Sequence, residues 1–262
     1  MNKIRLISES HLFIPFLPLW QLAVLAVDCG LGSNLPLKMS TSSLVLHTYW
    51  RSSCSYRVRI VLAFKSLPYE SVPVHLVRNG GEQHSASYVA LNPSHKVPLL
   101  VADGLPLTQS TAIAEYLEEL HPQPSLLPGD AATRAHIRAL CCVISNDMQP
   151  LGNLATLQHV AALVVPEGGA PEAKAAAREA WARHWMATGF AALEALMAPK
   201  AGRYSVGDAF TLADAFLAPQ AYNAARVSLD MTPYPTIVRV MAELDKHPAV
   251  MAAHPSAQPD AE

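Results

Sequence analysis

From residue 44 onward the apolar and polar positions fall into short alternating runs followed by longer helical ones. Leu44-Val-Leu-His-Thr-Tyr49 alternates and is rich in strand formers, which predicts a strand. Val58, Ile60, Val61, Leu62 and Phe64 then predict a helix that Pro68 ends. Tyr69 to Val77, with Val72, Val74 and Leu76 on one face, predicts a second strand. Arg78 to Lys96, with Asn79-Gly-Gly and Asn92-Pro, reads as a loop. Val97 to Asp103 and Leu105 to Thr108, separated by Gly104, predict an antiparallel hairpin. Ser110 is expected to cap a helix reaching about His121, with Ile113, Leu117 and Leu120 toward a core and Glu115 and Glu118 toward water.

Strand, helix, strand, then hairpin and helix is the order of a thioredoxin-like α/β domain, expected over residues 42–122. Pro122-Gln-Pro-Ser-Leu-Leu-Pro-Gly129 has the composition of a linker. The rest of the chain reads as helix, so residues 130–255 are expected to form an all-helical domain. Thr133 to Met148 carries Ile137, Leu140, Cys141 and Ile144 at helical spacing, with a break at Pro150. Pro166 to Pro171 is a loop, and Glu172 to Met197 a long alanine-rich helix with Trp181, Trp185, Thr188 and Ala192 in one stripe. Thr211-Leu-Ala-Asp214 is a capping-box pattern opening a helix to about Arg226, in which Asp214 is structural. Pro233-Tyr-Pro235 opens a last helix ending near His247.

Residues 1–38 do not fit this organisation. Lys3 and Arg5 precede an apolar stretch from Leu12 to Val27, interrupted by Pro15, Pro18 and Gln21. That is short of the roughly 20 apolar residues a membrane span needs. It lacks a clean small-x-small cleavage site as well. Met39 opens a segment that reads as the start of a soluble domain. Three readings stay open: an upstream start that is not part of the native protein, a targeting or anchoring segment, and a structured extension.

Composition narrows the function. Nineteen Lys and Arg against 21 Asp and Glu give a formal charge of −2, leaving no basic excess for nucleic acid. The chain is 51% hydrophobic, much of that alanine in the second half, which signals helix and excludes disorder as the dominant state. Four cysteines in 262 residues, Cys29, Cys54, Cys141 and Cys142, make no disulfide framework. They read as reduced thiols, and the expected location is cytoplasmic. No H-E-x-x-H or zinc-type Cys/His spacing is present, so no metal is expected.

The chemistry-bearing segment is Arg51-Ser-Ser-Cys-Ser55, between the first strand and first helix. A helix N-terminus presents unpaired N–H groups and about half a positive charge, and Arg51, Arg57 and Arg59 add more. Such a site suits a thiolate. Either Cys54 is itself reactive, or the serines stabilise a cofactor's thiolate, or the serines only cap the helix.

Ser52-Ser-Cys-Ser-Tyr-Arg-Val-Arg59, Leu91-Asn-Pro-Ser-His-Lys-Val-Pro98, Gln109-Ser110, Gln149-Pro-Leu-Gly-Asn-Leu154, Val206 to Asp214 and Asp230 to Thr236 together resemble the zeta class of glutathione transferases. The resemblance runs from about Leu44 to Pro255. It implies glutathione as cofactor, and catalysis by Ser52, Ser53 and Cys54, with Ser52 preferred as thiolate partner. Glutathione contacts are implied for Ser52, Ser53, Cys54, Ser55, Tyr56, Arg57, Gln83, Gln109, Ser110, Gln149, Asn153, Leu154 and Ala155. Val97 and Pro98 are implied as a cis-proline turn meeting the cysteinyl part. Arg226 is implied to meet a carboxylate of a small dicarboxylate substrate, a task suited to the guanidinium fork, and Arg51 and Arg57 are further candidates for its carboxylates by their charge near the start of the first helix.

The activity implied is a glutathione-dependent cis–trans isomerase turning maleylacetoacetate into fumarylacetoacetate in tyrosine and phenylalanine catabolism. Glutathione transferase activity and a homodimer are implied with it. Isomerisation of maleylpyruvate and transfer to α-haloacids are the alternatives within the class. A non-catalytic binding module of the same fold is the alternative outside it.

Overall fold

The computed structural model describes residues 43–262, so the readings for residues 1–38 and Met39 lie outside the described residues. The described chain is a thioredoxin-like α/β layer followed by a helical one. The first layer holds β1 (Leu44–Thr48), α1 (Ser53–Phe64), β2 (Glu70–Pro73), α2 (Ala86–Leu91), β3 (Leu99–Ala102), β4 (Leu105–Thr108) and α3 (Ser110–Leu120). The second holds α4 (Ala131–Cys142), α5 (Leu154–Val164), α6 (Pro171–Met197), α7 (Leu212–Arg226), α8 (Pro235–Leu244) and α9 (Pro248–Ala253).

The sheet order is β2-β1-β3-β4. β1 runs parallel to β2 and antiparallel to β3, and β3 runs antiparallel to β4. β1, β2 and β4 therefore end at one edge of the sheet, where β3 begins. Registers make this concrete: Thr48 faces Pro73, His47 faces Leu99, and Leu99 faces Thr108. Each of β1 and β4 passes into a helix at that edge.

One core runs from the sheet into the helical layer. Leu46, Val58, Ile60, Leu62, Ile113 and Leu117 belong to the same buried cluster as Ile137, Leu140, Ile144, Phe190 and Phe216. A smaller cluster of Tyr49, Val74, Tyr88, Val97 and Leu99 forms around α2. Asp214 completes the expected capping box: its carboxylate accepts from the Thr211 amide at 2.8 Å and the Ser205 amide at 2.8 Å.

Several local expectations are corrected. β2 stops at Pro73, whose nitrogen faces the open edge of the sheet; the Val74 amide still donates to the Thr48 carbonyl at 2.7 Å, but β1 ends at Thr48. The expected loop 78–96 contains α2, capped by Ser85; two turns are too short to show a period. Ser110 is the first residue of α3 and not its cap, because Gln109 occupies the cap position at φ 70°. Leu120 is exposed, and Glu118 is buried. Helix α4 ends at Cys142 and passes through a π-turn (Val143–Met148) into a 3₁₀ turn at Gln149–Gly152, where Pro150 lies. On α6 the buried stripe is Ala182, Met186, Phe190 and Leu193, while Thr188 and Ala192 face solvent. The register differs because Trp181 turns to the 3₁₀ turn, its Nε1 donating to the Leu151 carbonyl at 2.9 Å, with the Trp185 ring edge-on to it at 5.7 Å. Helix α9 has no counterpart among the expected elements.

The burial of Glu118 ties the two layers. Its carboxylate accepts from the amides of Leu126 and Leu127 in the linker and lies 2.6 Å from Lys65 Nζ at the end of α1. Lys65 also donates to the carbonyls of His121 and Pro124. Removing one partner leaves an uncompensated buried charge. Lys65→Met is expected to cost about 3–5 kcal/mol in urea denaturation. Lys65→Met with Glu118→Leu is expected to recover part of that loss.

His247 gives a pH-dependent test. Its Nδ1 accepts from the Ala249 amide at 3.3 Å, capping α9, and its ring stacks on Phe210 at 4.3 Å. Burial, then the charge of Arg203, lowers its pKa below the ordinary 6.5. A lowered folded pKa contributes stability that is present above the unfolded value and lost as pH falls through the folded one. Melting temperature is therefore expected to drop below pH 6.5, and less steeply in His247→Asn, whose amide caps without titrating.

Candidate active site

The sheet topology brings the first-layer candidates to one edge. Ser52 follows β1, Val97 and Pro98 precede β3, Gln109 and Ser110 follow β4, and the segment carrying Gln83 follows β2. The Val97–Pro98 peptide is cis.

Ser52 caps α1 from an extended backbone, and its Oγ accepts from the Ser55 amide at 3.2 Å. Its own O–H proton remains a donor beyond the helix end. The amides of Ser53 and Cys54 lie in the first turn, where no helix carbonyl can reach them. No acidic residue offsets the positive end of the helix in that turn. Ser53 and Ser55 are buried, and the free thiol of Cys54 is half-buried.

Arg51 and Arg226 share one neighbourhood. Arg51 lies over the Trp50 ring at 5.4 Å. Arg226, the last residue of α7, reaches solvent, yet partial desolvation and then the like charge of Arg51 lower its pKa. Neither makes a salt bridge with an acidic side chain among the described residues.

Arg57 lies elsewhere. Its side chain is 1% exposed, with the guanidinium 4.7 Å over the Phe216 ring and Nη1 donating to Ser110 Oγ at 3.3 Å. Desolvation lowers its pKa. A substrate at the surface does not meet this group; it holds the first residue of α3. Tyr56 likewise points inward, its hydroxyl donating to the Val250 carbonyl at 3.1 Å, with burial raising its pKa well above the phenol range.

Gln83 is buried on a 3₁₀ turn (Glu82–His84). Its Nε2 donates to the Leu76 carbonyl at 3.3 Å, and its Oε1 is buried without a partner. Gln109 is exposed beside buried Ser110. Gln149 and Leu154 are half-buried, at the 3₁₀ turn and the start of α5. Asn153 caps α5, its Oδ1 accepting from the exposed Ala155 amide at 3.2 Å. No hydrogen bond among the described residues joins these four to the first layer.

Residues beyond the sequence candidates complete the loop before Ser52. Arg59 donates to Thr48 Oγ1 at 3.0 Å and to the Trp50 carbonyl at 3.0 Å, and Asp260 accepts from the Trp50 amide at 3.0 Å. Arg59 is visible in the sequence as a cation on α1, but nothing local marks Asp260, which lies 210 residues from Trp50 in the chain.

Comparison with known proteins identifies the family. Residues 51–120 match the family model for the glutathione S-transferase N-terminal domain, and residues 172–252 that for its C-terminal domain. A probable maleylacetoacetate isomerase of Vibrio cholerae serotype O1 is 47% identical, covering 84% of this chain and 99% of its own. A holo maleylpyruvate isomerase, described as a bacterial glutathione transferase in the zeta class, superposes with a TM-score of 0.77 at 43% identity, covering 83% of this chain and all of its own. Maleylacetoacetate isomerase from Anaeromyxobacter dehalogenans, solved with glutathione in its active site, gives a TM-score of 0.74 at 44% identity, covering 84% and 99%. With both family domains present and relatives matched over nearly their whole length, the chain belongs to the glutathione S-transferase family, within its zeta class.

Proposed function

We propose that this chain is a glutathione-dependent cis–trans isomerase that converts maleylacetoacetate to fumarylacetoacetate, a step of tyrosine and phenylalanine breakdown. The observation that carries this reading is the Ser52-capped start of α1, which follows β1 at one edge of the sheet, with Arg51 directly before Ser52 and Arg226 near enough to Arg51 to feel its charge. That edge offers donors for one anionic sulfur and, beside them, two cations without acidic partners among the described residues.

The residues fit glutathione. The buried Oε1 of Gln83 lacks a donor, and the glycine-end amide of the tripeptide would supply one. Ser110 and the start of α3 suit the γ-glutamyl carboxylate, and the backbone at Val97 suits the cysteinyl peptide. Gln149, Asn153, Leu154 and Ala155 would add contacts from the helical layer. When bound, glutathione supplies a thiolate that adds to the cis double bond, permits rotation about the resulting single bond and leaves unchanged.

The chain's own residues set the conditions for that chemistry. Ser52 donates a hydrogen bond from its hydroxyl to the sulfur, and the first-turn amides of Ser53 and Cys54 favour the charged form through hydrogen bonds and the helix dipole. Arg51 and Arg226 hold the substrate carboxylates. The enolate that develops as the double bond is attacked requires donors near the substrate carbonyl. Cys54, half-buried beside Ser52, serves orientation, and Arg57 acts through Ser110.

In the same reading the chain forms a homodimer in the cytoplasm, with a glutathione-binding domain over residues 42–122 and a substrate domain over 130–255 that follow an extension over 1–38. The described thiols are free, and no described helix is long and apolar enough to cross a membrane. Maleylpyruvate is the second reading for the substrate, supported by the superposition on an isomerase of that compound.

Two substitutions separate the roles. Ser52→Ala is expected to lower kcat/KM by about 100-fold or more, the usual scale for removing one donor to a developing anion. Unchanged turnover would move the role to Ser53 or Cys54. Arg226→Ala is expected to raise KM for the diacid about tenfold or more while leaving glutathione affinity unchanged, with Arg226→Lys recovering only part. An unchanged KM in steady-state kinetics would remove Arg226 from the substrate site.

A further inference from the structure

We propose that Asp260, working with Arg59, is a positioning residue for the thiolate site: a carboxylate from the far end of the chain fixes the peptide that delivers Arg51 and Ser52. The inference rests on the reading of Ser52 as thiolate partner.

Every polar backbone group of Trp50 is held from outside the loop. Its amide donates to Asp260 Oδ2 at 3.0 Å, and its carbonyl accepts from Arg59 Nη2 at 3.0 Å. One residue earlier, the Tyr49 carbonyl accepts from Arg59 Nη1 at 3.3 Å and from the Ser52 amide at 3.0 Å. The guanidinium and the carboxylate thus grip the two residues from which the turn into α1 starts. Arg59 is 1% exposed and its Nε donates to the Ala253 carbonyl at 3.1 Å, so the same cation anchors the end of α9.

The segment after α9 is itself built to present Asp260. Gln258 Nε2 donates to the carbonyls of Ala252 and His254, folding the chain back on the helix end. Two residues beyond Asp260, Glu262 pairs with Arg78 and lies 3.4 Å from His75 Nε2. His75 Nδ1 accepts from the amides of Val77 and Arg78, which leaves the ring proton of the neutral form on Nε2, facing Glu262. The tail therefore touches both the loop before Ser52 and the segment that leads to Gln83.

A purely local cap would not need a partner so distant in sequence. The catalytic hydroxyl here sits on a turn whose upstream peptide has no regular ladder partner of its own. A small rotation there swings Ser52 relative to the first-turn amides, and sub-ångström misplacement is costly where an anion must be met by several donors at once.

The test uses the full chain with Asp260→Ala, Asp260→Asn and, as reference, Ser52→Ala. Amide exchange at Trp50 and Ser52 in the glutathione-free protein is read by NMR, and the glutathione-loaded protein is titrated by ultraviolet thiolate absorbance. Asp260→Ala is expected to speed Trp50 exchange about tenfold, the scale of one lost charge-assisted hydrogen bond. It is expected to raise the thiol titration midpoint and to lower kcat, with KM for the diacid unchanged. Asp260→Asn, whose Oδ1 still accepts, is expected to restore all three. Parent exchange and parent titration in Asp260→Ala would overturn the inference, as would a loss of kcat that Asp260→Asn does not relieve. If Ser52→Ala fails to move the titration midpoint, the thiolate reading falls instead, and Trp50 exchange alone decides whether Asp260 holds the loop.

Discussion

The amide hydrogens in the first turn of α1 have no carbonyl within the helix to receive them, and Ser52 satisfies only one of them. The rest of the structure is arranged around that unsatisfied end. An anion placed there gains hydrogen bonds and the helix dipole together, which is what a sulfur needs to stay ionised near neutral pH. The absence of acidic residues from the turn keeps the end positive. The mixed sheet then decides what can approach it, because strands β1, β2 and β4 all finish at this edge.

Holding the edge in register requires ties that cross the chain. Lys65 and Glu118 clamp the linker between the layers, and Arg59 joins β1, the loop after it and the end of α9. Both cations are buried, and each is covered by carbonyl or carboxylate oxygens, as a buried charge must be. Arg57 differs: it lies over the Phe216 ring, its one hydrogen bond among the described residues goes to Ser110 Oγ, and its Nε and Nη2 are buried without protein partners. The helical layer thus supplies both the cover of the core and the outer grip on the turn into α1.

Much of this is legible in the sequence. Alternation finds β1, the apolar run before Gly104 finds β3, the Thr211–Asp214 spacing finds the capping box, and the Ser52-to-Arg59 segment finds the serine-capped start of α1. The misreadings share a cause. Glu118 reads as a solvent-facing charge because its partners, Lys65 and the linker amides, are not its helical neighbours. Arg57 is matched to substrate carboxylates by charge alone, although helical phase turns it toward Phe216 and Ser110. Asp260 carries no local signal, since its task is defined by a peptide at the opposite end of the described chain.

The central claim is that the start of α1 holds a thiolate that is used and returned. Its most direct measurement is the stoichiometry of maleylacetoacetate isomerisation by the purified full chain as glutathione is varied. The account predicts no turnover without glutathione, and many turnovers per glutathione with the tripeptide recovered intact. Equal turnover in its absence, or one glutathione consumed per product, would contradict it.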